Sequence, residues 1–173
     1  MRILQRKSIL LVMIVMSLAL TGCASKSEKS DGSSADSADS MMADAGENFN
    51  LELNGTSDEN SAGPLKTIFF DFNSSSLSTS GRTTLEENAT FLKLTENVDI
   101  QIEGHADERG GHQYNLALGE RRARTVKDYI VALGVNEARV SIISYGKEKP
   151  TSFGHDEESW SKNRRATFVI TAK

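Results

Sequence analysis

EGHADERGGHQYNLALGERRA, Glu103–Ala123, is the stretch on which the fold turns. Just before it, Val98-Asp99-Ile100-Gln101-Ile102-Glu103 alternates apolar and polar residues, the period of a strand with one buried face. After it, apolar residues recur at helical spacing from about Gln113 to Leu133, where Gly134 supplies a stop. A strand therefore runs into a helix through a short turn of glycine, histidine and charge. Leu116, Ala123 and Ile130 stand seven apart, as do Gly119, Val126 and Leu133, and together they make one stripe for packing on a sheet. Gly119 costs about 1 kcal/mol of helix propensity, which is consistent with a close approach of helix to sheet.

Working outward, Lys66–Phe72 reads as a strand through Ile68, Phe69, Phe70 and Phe72. The Ser- and Asn-rich turn Asn73–Ser80 offers N-caps for a helix from about Gly81 to Leu94, whose Leu85, Ala89 and Leu92 share a face. Val140–Ser144 is a third strand, Tyr145–Trp160 a long loop with a helical turn near Glu157, and Ala166–Thr171 the last strand. The expected fold is α+β, a β-α-β-α-β-β sandwich with two main helices on one face of a four-stranded mixed sheet.

The rest of the chain concerns location. Residues 1–22 have a basic start and the apolar run Ile9–Leu20, too short for a comfortable membrane span. Leu20-Thr21-Gly22-Cys23 resembles a bacterial lipoprotein signal, cut before the cysteine that is then acylated, and Ala24 in the next position favours the outer membrane. Cys23 is the chain's one cysteine, so an internal disulfide and a thiolate metal cluster are excluded. Residues 23–63 hold two lysines against nine acids and almost no aromatics, which reads as a flexible tether. Residues 64–173, with 15 basic and 15 acidic side chains, form the folded domain, and a formal charge of -4 overall gives no sign of a nucleic-acid partner.

The turn admits several chemistries. Asn115, Leu118 and Arg122 are spaced 3 and 4, so they share a face apart from the core stripe that could look back to the turn. Asp107 suits an ammonium, while Arg122 and the free N–H groups at the helix start suit a carboxylate, so the pair fits a zwitterion. Equally, Asp107 and Arg122 could pair with each other. His105, Asp107 and His112 could hold a divalent ion, yet no second histidine-rich segment completes the set. No nucleophile elbow marks a hydrolase.

Four blocks carry a resemblance: EGHADERG, Tyr114–Val126, Ser144–Pro150 and Gly154–Ala166 are similar, in that order, to the OmpA C-terminal-like family, over roughly residues 66–172. The resemblance implies a non-enzymatic domain without cofactor or metal that binds peptidoglycan through the meso-diaminopimelate of its stem peptide. By motif, Asp107 would take the ammonium and Arg122 the carboxylate. Asn115 and Leu118 would shape the pocket, His105 and Ala106 line it, Phe72 and Asn73 close its far wall, and Arg165 stand nearby. Combined with the lipoprotein signal, it implies anchoring in the outer membrane through Cys23 and work with TolB and other Tol components at cell constriction. Asn73 replaces a frequent family aspartate, and Trp160 a common tyrosine, expected to be a packing residue.

Overall fold

The computed structural model describes residues 51–173; the leader, Cys23 and the tether up to residue 50 lie outside the described residues. The chain runs β1 (Ile68–Phe69), α1 (Thr79–Leu94), β2 (Asp99–His105), α2 (His112–Ala132), a 3-10 turn at Glu137–Arg139, β3 (Val140–Gly146), α3 (Glu157–Asn163) and β4 (Arg165–Ala172). The sheet order is β1-β4-β2-β3. β2 is parallel to β3, and β4 is antiparallel to both β2 and β1, so the expected mixed α+β architecture is the one observed.

Register explains the core. Rows such as Val140-Ile100-Ile170 and Ile142-Ile102-Phe168 put apolar side chains in line across three strands. Leu85, Ala89 and Leu92 of α1 join them, as do Ala123, Val126 and Ile130 of α2, all but sealed from solvent. Gly104 belongs to the next row, and there α2 comes closest to the sheet. A Cβ built on Gly104 would fall 1.9 Å from the backbone oxygen of Gly119. Gly119 was legible as a contact glycine; its partner was not. α1 starts two residues earlier than expected because Ser78 accepts a hydrogen bond from the Gly81 amide and serves as N-cap. β1 is shorter than the Lys66–Phe72 run, since only Ile68 and Phe69 find register on β4.

The folded domain, expected from Pro64, already includes residues from Leu51 on. The amides of Asn54 and Ser57 donate to Ile170 and Phe168, and the Ile170 amide to Gly55, so residues 54–57 continue the ladder on the edge of β4 that short β1 leaves open. Ala62 and Leu65 are buried in the core. Composition failed here because backbone pairing and polar side chains, with few apolar ones, fasten the segment.

Asp58 locks it. One carboxylate oxygen accepts from Thr67, the other from Thr167 and from Arg165 Nε at 2.7 Å. Burial favours the neutral carboxyl, but the hydrogen bonds from Thr67 and Arg165 together outweigh it and hold Asp58 below its ordinary range. A carboxyl held low in the fold stabilises above its unfolded pKa of about 4 and loses that contribution as pH falls through its folded value. Asp58→Asn is therefore expected to destabilise the domain at pH 7 by about 3 kcal/mol, leaving Arg165 buried without its anion. Urea titrations at pH 7 and from pH 5 to 2 check this: the variant should also show a shallower acid limb.

Candidate functional site

Beyond β2, residues 106–111 cross to α2, whose N-cap is Gly111. Asn115 holds this loop from the helix side, its side-chain amide donating to the Arg109 carbonyl at 2.9 Å. Between loop, helix and the segment after β1 lies a cavity of about 180 Å³ lined by Phe72, Asn73, Asp107, Arg109, Gly110, Tyr114, Asn115, Leu118 and Arg122. Six of the residues singled out from the sequence meet here: Asp107, Arg122, Asn115, Leu118, Phe72 and Asn73.

Arg122 is the unusual member. It has no solvent exposure, yet among the described residues it pairs with no carboxylate. Its Nε donates to the Ser74 carbonyl at 2.8 Å, Nη1 to His105 at 2.7 Å and Nη2 to Asp71 at 3.1 Å. Three of five N–H groups are thus spent on backbone, and two remain. Burial lowers its pKa to about 10, so it stays a cation at neutral pH.

Asp107 faces it without bonding it, so the internal Asp107–Arg122 pair is not formed. Its carboxylate accepts from the Arg109 amide at 3.1 Å, from Arg109 Nη2 at 2.6 Å and from Arg164 Nη1 at 3.4 Å. Burial pushes this carboxyl up, but the bonds from Arg109 prevail and keep it below the usual carboxylate range. Glu157 contacts both arginines, Arg164 Nη2 at 2.6 Å and Arg109 Nη1 at 3.6 Å, which closes a neutral ring of two acids and two bases. Arg122 is left as the cation that this ring does not balance.

Three sequence assignments are corrected. His105 does not line the cavity: its ring stacks on Tyr145 with centroids 5.8 Å apart, and burial, the main cause, lowers its pKa. The site uses its carbonyl instead. Ala106 is buried, with its amide on the Gly146 carbonyl, and is also absent from the lining. Arg165, the first residue of β4, bonds Asp58, whereas Arg164, the C-cap of α3, reaches Asp107. His112 pairs with Glu148 at 2.9 Å, so His105, Asp107 and His112 do not converge. Among the described residues no three potential ligands gather around a metal position.

Sequence reasoning missed Arg109, Gly110, Tyr114 and Arg164. Tyr114 was available from spacing, since 114, 118 and 122 follow one helical face; its hydroxyl donates to the Asn73 side chain. Asn73 has φ +53°, a left-handed conformation that asparagine tolerates. Trp160 does more than pack: it stacks on Arg109 and donates its indole N–H to Glu108 at 2.8 Å.

Comparison with known proteins matches the same region. The OmpA family model covers residues 69–164. A peptidoglycan-associated lipoprotein of Rhizobium meliloti (strain 1021) is 41% identical over 160 residues, 92% of this chain and 86% of that one. The crystal structure of the peptidoglycan-associated lipoprotein from Burkholderia pseudomallei superposes with a TM-score of 0.60 at 44% identity, covering 62% of this chain and 93% of that one. The C-terminal domain of Helicobacter pylori MotB shares the fold, with a TM-score of 0.59 at 22% identity over 62% of this chain and 85% of its own. With its mixed sheet, its strand-turn-helix cavity and these relatives, the chain belongs to the OmpA family.

Proposed function

We propose that the chain is an outer-membrane lipoprotein whose OmpA domain holds peptidoglycan non-covalently, gripping the meso-diaminopimelate of the stem peptide. The observation that carries this is Arg122, a buried cation without a carboxylate partner at a cavity that also holds Asp107. An unbalanced buried charge costs several kcal/mol, and an entering carboxylate offsets that cost. The free end of diaminopimelate bears a carboxylate and an ammonium on one carbon. The carboxylate takes the two spare N–H groups of Arg122, the ammonium takes Asp107, and Leu118 and Phe72 flank the methylenes. The family's role makes this a binding module, not an enzyme.

The chain's path suits an anchor. The Lys173 ammonium donates to the Leu51 carbonyl, so Leu51 lies by the C-terminal end of β4, while Arg164, which reaches Asp107, lies at its start. The eight residues of β4 span about 23 Å. Leu51 thus lies at the end of β4 away from Arg164. The Tol partnership, TolB included, rests on resemblance, and coprecipitation of TolB with the chain tests it.

The site is tested by sedimentation of the chain with cell walls. Walls containing diaminopimelate should carry it down and walls containing lysine, which lacks the distal carboxylate, should not; equal sedimentation overturns the assignment. Asp107→Asn should weaken binding about tenfold or more while the protein still unfolds cooperatively. Because Asp107 is held low, binding should persist at pH 5 and fade only as pH falls below the ordinary carboxylate range.

A further inference from the structure

In the unliganded protein Asp107 already has a cation. Arg109 grips it with its amide, Nε and Nη2, while its guanidinium lies between two rings, 4.0 Å from the centroids of Phe72 and Trp160. Glu157 holds the other end of the same guanidinium. Arg109 therefore stands where a ligand ammonium must arrive, yet it has three further partners to keep if it yields Asp107.

We propose that Arg109 determines how strictly the pocket demands an ammonium beside the carboxylate, an inference that rests on the zwitterion reading above. Arg122 has no such stand-in, so the carboxylate is required outright. A ligand bearing the carboxylate alone leaves Arg109 on Asp107, and the carboxylate of Asp107 stays paired. A ligand bearing both groups replaces Nη2 of Arg109 on Asp107, and Arg109 remains over the ligand, held by Phe72, Trp160 and Glu157. Without the Arg109 side chain, Asp107 would keep only the residue-109 amide and Arg164, 3.4 Å away, and an ammonium-free ligand would bring a second negative charge toward a weakly paired one. Removing this arginine should therefore sharpen discrimination, the reverse of what loss of an ordinary ligand contact does.

The experiment compares two synthetic peptides, L-Ala-γ-D-Glu-meso-diaminopimelate and the same peptide with L-2-aminopimelate, which lacks the distal ammonium. Both are titrated calorimetrically against the full-length chain in detergent. The wild type should prefer the first by only a few fold, Arg109→Gln by about ten times more than the wild type, and Arg109→Lys, which keeps a cation on Asp107, close to the wild-type ratio. Trp160 is the chain's one tryptophan, so its fluorescence reports the stack: the diaminopimelate peptide should change it in the wild type and not in Arg109→Gln. A ratio unchanged within about twofold in Arg109→Gln overturns this role and leaves the diaminopimelate assignment standing. Failure of the wild type to bind either peptide overturns both.

Discussion

Arg122→Ala is expected to abolish sedimentation with diaminopimelate-containing walls and, at the same time, to lower the stability of the domain. The first effect follows from removing the one cavity cation without a carboxylate partner. The second follows from the carbonyls of Ser74, His105 and Asp71, which all lose a donor. Each such bond contributes about 1 kcal/mol, and relief of the buried charge offsets part of the loss, so about 2 kcal/mol is expected in urea unfolding. Arg122→Lys separates the two. It keeps the charge but cannot present a planar fork to three carbonyls and a carboxylate together, so binding should still fall about tenfold or more. Wild-type sedimentation by Arg122→Ala would overturn the assignment of the site.

The largest expected effect on folding comes from a residue that touches no ligand. Gly104→Ala places a methyl 1.9 Å from the Gly119 oxygen and 2.6 Å from its carbon, and both are backbone atoms. No side chain can rotate aside, so β2 and α2 must separate along the packed layer. A loss above about 4 kcal/mol is expected, a large share of the stability of a domain this size. The reciprocal change gives a control: Gly119→Ala meets the Ser144 hydroxyl at 2.3 Å and the Gly104 oxygen at 2.6 Å. Alanine is favoured over glycine by about 1 kcal/mol inside a helix, so any net destabilisation by Gly119→Ala reports this contact. Urea midpoints should rank wild type above Gly119→Ala above Gly104→Ala; a Gly104→Ala protein as stable as wild type would refute the close approach.

The separation between legible and hidden features is physical. Alternation through Val98–Glu103 and the seven-residue stripe of α2 were readable because each element has one buried face, and period alone declares it. The same logic set Asn115, Leu118 and Arg122 apart from that stripe. Residues 51–63 were misassigned because pairing to the edge of β4 is a property of the partner strand, invisible in a segment of serine, aspartate and glycine. Arg164 and Arg165 are neighbours of identical type, and only the path into β4 decides which reaches Asp107.

Glu103–Ala123 by itself determined that a strand passes into a helix through a charged turn, and that Asp107 and Arg122 belong to the same neighbourhood. Charge, spacing and periodicity are local and survive in the bare sequence. Only the tertiary structure decided that the two do not bond each other. That outcome depends on Ser74, Asp71, Arg109 and Arg164, which arrive from other parts of the chain or through its turn. Backbone carbonyls hold Arg122 as a buried cation while arginines neutralise Asp107, and this separation of the two charges leaves a cavity between them.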